Sequence, residues 1–142
     1  MIDEELVTRK ALLIARDLEP LGNLAQLERE AFVASRSDQV LAERYLERII
    51  GRIIDINFHV ITSSGAAPPS DYYASFIDLG RLGVLDGAFA LRLAPCAGLR
   101  NRLVHEYDEI DPVRLHEACR TAVADVPEYL RRITDWMLQA GH

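Results

Sequence analysis

Apolar side chains recur at three- and four-residue steps along most of this chain, and no segment sustains alternation at every second position. The first spacing is the signature of helices with one buried face, while the missing one would mark strands. The pattern therefore predicts an all-α fold. From Asp3 to about Glu30, Leu12, Ala15, Leu18, Leu24 and Leu27 supply apolar positions, and Leu6, Lys10, Leu13 and Asp17 trace a second line. Pro20 is expected to kink or split this helix near Glu19, because it lacks an amide hydrogen and crowds the preceding turn; Gly22-Asn23 weakens it further.

Ser37-Asp38 offers an N-cap for a longer helix from about Gln39 to Ser63, with Leu41, Tyr45, Leu46, Ile49, Ile53, Ile56 and Val60 on its apolar face. Arg44, Arg48 and Arg52 stand on one line of that helix, a stripe that reads as a solvated face or as a track for phosphate. Residues 63–69, rich in Ser, Gly, Ala and Pro, form a loop. Ser70 or Asp71 caps a short helix to about Leu79, which Gly80-Arg81-Leu82-Gly83 closes. A fourth helix starts near Asp86, bends at Pro95 and ends near His105 or Tyr107. Asp111-Pro112 then starts a last helix that runs to about Gln139, with a kink predicted at Pro127. The sum is an up-and-down bundle of about five helices in a single domain over residues 1–142.

Composition narrows the role. The 142 residues are 49% hydrophobic and 27% charged, an ordinary globular balance, and can bury a core unaided. No apolar run reaches the ~18 residues that would span a bilayer, and the acidic start Met1-Ile2-Asp3-Glu4-Glu5 is unlike a secretory signal, so a cytoplasmic protein is expected. A net charge of −6 argues against a general nucleic-acid coat and leaves room for a local basic site. Cys96 and Cys119 sit in apolar helical contexts and read as core residues, without disulfide or zinc spacing. No cluster of histidines and carboxylates has ligand spacing, so neither metal nor other cofactor is expected.

The chemistry concentrates in Arg100-Asn101-Arg102-Leu103-Val104-His105-Glu106-Tyr107. Histidine moves protons near neutral pH and arginine grips phosphate, a pairing that suits phosphodiester chemistry. On a helix, Arg100 and His105 lie about 140° apart around the axis, whereas Asn101 and His105 share a line. One histidine does not readily serve as both acid and base when a 2′-hydroxyl attacks its own phosphodiester. A two-fold dimer would bring two imidazoles and two guanidiniums to one cleft, so the chemistry predicts a homodimer or a higher even-numbered oligomer. Tyr107 could stack on a base, hydrogen-bond phosphate or cap the core; Arg102 is a second candidate contact to substrate. His59 reads as a satisfied core or interface residue, His116 sits in the first turns of the last helix, and His142 is terminal.

Arg100-x4-His105-x-Tyr107, with Asn101 after the arginine, is similar to the R-polar-x3-H-x-Y motif of HEPN-domain proteins, and more specifically resembles the HepT toxin family. Asp55-Ile56-Asn57-Phe58-His59 resembles the family's D-I-x-x-H segment. Asp71-Tyr72-Tyr73, Phe76, Leu79 and Gly83-Val84-Leu85 echo the region before its fourth helix, so that the likeness spans about residues 37–115. The resemblance implies a metal-independent endoribonuclease toxin whose antitoxin is a nucleotidyltransferase of the MntA kind. It also implies that Arg100 and His105 are catalytic, that Asn101 assists, and that Tyr107 shapes the site and receives AMP from the partner. Phosphate added at Tyr107 would repel RNA from the cleft. The alternative is a HEPN module that binds nucleotide or partner without catalysis, and the last rival is a purely structural bundle.

Overall fold

The structure, a computed structural model, describes residues 1–105 and 110–140. Among these residues the secondary structure is helical throughout: α1 Glu4–Gln26, α2 Arg29–Ala34, α3 Arg36–Ser63, α4 Tyr72–Arg81, α5 Gly87–Leu93, α6 Cys96–His105 and α7 Pro112–Gln139. The all-α expectation holds, but seven helices replace about five. Both extra breaks fall beside predicted helix positions.

The first break corrects the reading of Pro20. α1 passes through Pro20 and ends only at Gln26, where Leu27 turns to extended backbone. Proline inside a helix costs about 3 kcal/mol. Burial of Leu21, Leu24 and Ala25 just beyond it offsets that cost. Local hydrogen bonds mark where α3 starts. Its N-cap is Ser35, two residues earlier than Ser37, and the Ser35 hydroxyl accepts the Asp38 amide at 3.2 Å. Gln39 is buried and its carboxamide donates to the carbonyls of Phe32 and Val33 at 3.1 and 2.9 Å, satisfying groups left open at the end of α2. The second break is at Pro95, where the predicted bend separates α5 from α6.

Two boundaries follow the sequence closely. Asp111 caps α7, accepting the Val113 amide at 3.1 Å with Pro112 in the first helical turn. α7 then runs through Pro127 to Gln139 as one helix. α4 ends in a Schellman turn at Gly83, whose φ is +79°. The Gly83 amide bonds the Gly80 carbonyl at 3.2 Å and the Val84 amide bonds the Leu79 carbonyl at 3.0 Å, geometry that favours glycine.

Helices α1, α3 and α7 pack against one another, and α4, α5 and α6 cover the exposed side of α3 and its flank. α1 runs antiparallel to α3, as three polar links show: Asp3 amide to His59 Nε2 at 2.9 Å, Lys10 to Asp55 at 3.1 Å, and Arg52 to Asp17 at 2.8 Å. Asp17, on one line with Leu6, Lys10 and Leu13, is 4% exposed and also holds Arg48 at 3.1 Å. Two members of the arginine stripe are therefore turned inward to a buried carboxylate, and the reading as a solvated face fits only Arg44, which pairs with Glu47 on its own helix. Leu12 and Leu41, read as apolar-face positions, are exposed instead.

The core has one buried polar chain. The Tyr129 hydroxyl on α7 donates to Asn57 Oδ1 on α3 at 2.6 Å, Asn57 Nδ2 donates to Ser75 Oγ at 3.1 Å, and Ser75 Oγ donates to the Tyr72 carbonyl at 2.6 Å. This chain joins three helices without leaving any of its side chains unpaired.

A surface network fastens α7 to the start of α5. Glu128 bridges Arg131 and Arg132, and Arg132 reaches Asp86, the N-cap of α5, while lying over the Phe89 ring at 4.8 Å. Hydrogen bonds first from Arg131 and then from Arg132 hold the Glu128 carboxyl down at about 2. A carboxylate depressed in the folded state contributes stability above its unfolded pKa and loses that contribution as the pH falls through the folded value. The melting temperature is expected to drop between about pH 4.5 and pH 2, and Glu128→Gln should flatten part of that slope; a variant profile parallel to the wild type would refute the assignment.

Candidate functional site

The motif lies on α6, a helix held to the core by one side. Leu99 and Leu103, four residues apart, are half-buried against the core and fix the rotation of the helix, whose first turn is held by the buried Ala97. At about 100° per residue, that anchoring leaves Asn101, Val104 and His105 on the outer ridge. All three are exposed. Asn101 and His105 are brought into line, as their spacing predicts. Arg100 and Arg102 fall on opposite flanks of the same ridge.

Arg100 is directed to the α3–α4 side. Its guanidinium carbon lies 5.0 Å from the centre of the Tyr72 ring, a cation–π contact, and Phe58 meets Tyr72 edge-on at 6.1 Å. Two adjoining grooves of about 300 and 270 Å³ meet at Arg100. Gly51 and Asp55 line both, Ile54, Phe58 and Tyr72 line the first, and Glu47, Arg48 and Arg52 line the second. Gly51 adds no side chain to either groove. Arg100 and His105 are thus not stacked within one protomer.

Arg102 faces the other way, into a cavity of about 390 Å³ against α7 that Arg92 and Arg114 also line. Tyr107 and the acidic residues Glu106, Asp108 and Glu109 lie outside the described residues. Spacing pointed to Arg100, Asn101, Arg102 and His105 but carried no sign of the Tyr72 ring beneath Arg100, nor of Arg92 and Arg114 beside Arg102. Those neighbours come from other helices.

The remaining reactive groups are structural. His59 accepts the Asp3 amide and so ties the start of α1 to α3. His116 is buried and stacked on Phe32 at 4.7 Å, with Nε2 lacking a hydrogen-bond partner. Burial pushes the Cys96 thiol up to about 11, with Asp125 adding to the effect, and the Cys119 thiol up to about 12. Both therefore stay protonated near neutral pH and are poor nucleophiles. Among the described residues, no group of three or more His, Cys, Asp and Glu side chains could hold a metal ion, and no helix is long and apolar enough to cross a membrane.

The fold has close counterparts. A tri-AMPylated HEPN toxin of Shewanella oneidensis, solved in complex with MNT antitoxin, superposes with a TM-score of 0.83 at 21% identity, covering 95% of this chain and 99% of that one. Bacillus subtilis YutE, described as a cytosolic protein, superposes with a TM-score of 0.80 at 19% identity over 98% of this chain and 93% of its own. The architecture is thus the helical bundle that these two proteins share. In sequence, the chain is 33% identical to the tRNA nuclease HepT of Aphanizomenon flos-aquae over 137 residues, 96% of this chain and 93% of that protein. The profile described as ribonuclease HepT-like matches residues 14–133. The chain belongs to the HepT-like ribonuclease family.

Proposed function

We propose that this protein is an endoribonuclease toxin that cuts RNA without a metal ion, at a cleft shared by two copies of the chain in the cytoplasm. The observation that carries the reading is the split of the motif across α6. His105 and Asn101 stand on an exposed ridge with Arg100 on its flank over Tyr72. A single protomer offers one imidazole there. Two ridges related by a two-fold axis offer two, one to take the proton from a ribose 2′-hydroxyl and one to give a proton to the departing 5′-oxygen.

In that cleft the 2′-oxygen attacks the adjacent phosphorus, the bond to the 5′-oxygen breaks, and a cyclic phosphate remains on the upstream strand. Arg100 meets the negative charge that gathers on the phosphorane, a role that suits a planar guanidinium already fixed over an aromatic ring. Asn101 donates a hydrogen bond beside His105, and Arg102 and Tyr107 contact neighbouring parts of the RNA. The family membership and the nuclease named among its relatives support this reading.

Neutralisation acts on the same motif, at Tyr107. The partner is a MntA-like nucleotidyltransferase, which transfers AMP to the Tyr107 phenol from a nucleoside triphosphate, with pyrophosphate leaving. Each added phosphate brings negative charge and bulk to the place where RNA phosphate binds. The AMPylated state of the Shewanella oneidensis toxin in its complex supports this step.

The direct test is purified protein with labelled RNA and excess chelator. Cleavage that persists, with cyclic phosphate ends, is expected. RNA left intact while the protein binds nucleotide would replace this reading with that of a non-catalytic binding module. Sedimentation of the same sample should give an even-numbered assembly.

A further inference from the structure

The cavity on the Arg102 flank lies apart from the ridge of Asn101 and His105 and from the Arg100 grooves. It lies between α3, α5, α6 and α7 and holds about 390 Å³, within the range of small-ligand sites. Its walls are apolar, with Leu46, Ile50, Leu93, Leu99 and Val126 on three sides. The space exists because α7 presents Ala118 and Ala122 where larger side chains would fill the gap.

Among the described residues, three arginines and two aspartates line the cavity. Arg92 is used up by Asp125, which it grips through two hydrogen bonds of 2.6 and 3.2 Å. Asp111 is engaged as the cap of α7. Arg102 and Arg114 have no ion-pair partner among the described residues, and both border the opening. An apolar slot whose rim carries two guanidiniums without an ion-pair partner among the described residues matches a flat base carrying a phosphate. Arg102 is three residues from His105, about 4.5 Å along the helix axis and about 60° around it. Whatever Arg102 holds is therefore next to the reacting group.

We propose that this cavity is a nucleotide subsite: it takes one unstacked base of the single-stranded substrate, while Arg102 and Arg114 hold that nucleotide's phosphate. The proposal rests on the ribonuclease reading for its occupant. It adds a means of choosing where the strand is cut, since an apolar slot of limited size discriminates among bases in a way that contacts to phosphate alone do not. An extruded base beside a stacked strand is a common arrangement where enzymes select a nucleotide.

The test uses the full chain and five probes: the four 5′-ribonucleoside monophosphates and ribose 5-phosphate, titrated by calorimetry. At least one nucleotide should bind, and ribose 5-phosphate should bind about tenfold more weakly or not at all, a difference of about 1.4 kcal/mol or more. Ala122→Trp fills the slot and should remove nucleotide binding. Arg114→Glu, a change to an exposed side chain, should weaken it by about tenfold or more and serves if the tryptophan variant fails to fold. Both variants should raise KM for RNA more than they lower kcat, and the bound nucleotide should compete with RNA.

No binding by any nucleotide, binding indifferent to both substitutions, or inhibition that does not compete with RNA would overturn the subsite. His105→Ala separates the two readings, because it should abolish cleavage and leave nucleotide affinity intact. Wild-type protein that binds nucleotide in the cavity but leaves RNA whole would sink the ribonuclease reading and not the site.

Discussion

His105→Ala is expected to lower RNA cleavage by about 10²–10⁴-fold, the usual worth of a positioned proton-transfer group. The imidazole is exposed at the end of α6, so the substitution removes chemistry and not core packing. Growth arrest on induced expression should vanish with it. In a shared cleft the loss is doubled, since each subunit removes the acid or the base that its partner needs. Arg100→Lys should fall between the wild type and His105→Ala, because an ammonium keeps the charge but not the planar, two-pronged grip on phosphate. Cleavage by the alanine variant at the wild-type rate would end the assignment of His105 as a catalytic group.

The second large effect concerns folding. Asn57→Ala should destabilise the protein by about 2–4 kcal/mol, combining a small cavity with a buried hydroxyl stripped of its best acceptor. Asn57 and Tyr129 are both fully buried, and the 2.6 Å bond between them is shorter than the 3.3 Å alternative from Tyr129 to the Ile53 carbonyl. Burial pushes the Tyr129 phenol well above its usual range, so it stays a neutral donor. The loss should reach the site as well, since the chain from Asn57 through Ser75 ends on the backbone of Tyr72, the ring beneath Arg100. Urea unfolding measures the effect; a change below about 1 kcal/mol would show that this polar chain adds little to the fold.

How much was legible beforehand differs from element to element. The cap at Asp111-Pro112 and the turn at Gly80–Gly83 were readable because their determinants are local: a side chain reaching two or three residues along, and a backbone angle that favours glycine. The two extra breaks were harder to place. Pro20 looked like the weak point of the first helix, yet the break came at Leu27, because burial beyond the proline outweighs its local cost. The arginine stripe failed for a similar reason. Whether Arg48 and Arg52 face water or a carboxylate depends on α1, which packs there with Asp17 and is remote in sequence.

The sequence by itself determined the helical class, the loops that carry their own turn residues, and the motif chemistry with its line from Asn101 to His105. These follow from periods and spacings within a few residues, where the helix repeat fixes geometry. Only the tertiary structure decided which way α6 is rotated, that Arg100 rests on Tyr72, and that Arg102 looks into a cavity with Arg114. Those choices depend on which apolar side chains from distant helices fill the core together, and close packing of that kind has no signature within a single stretch of chain.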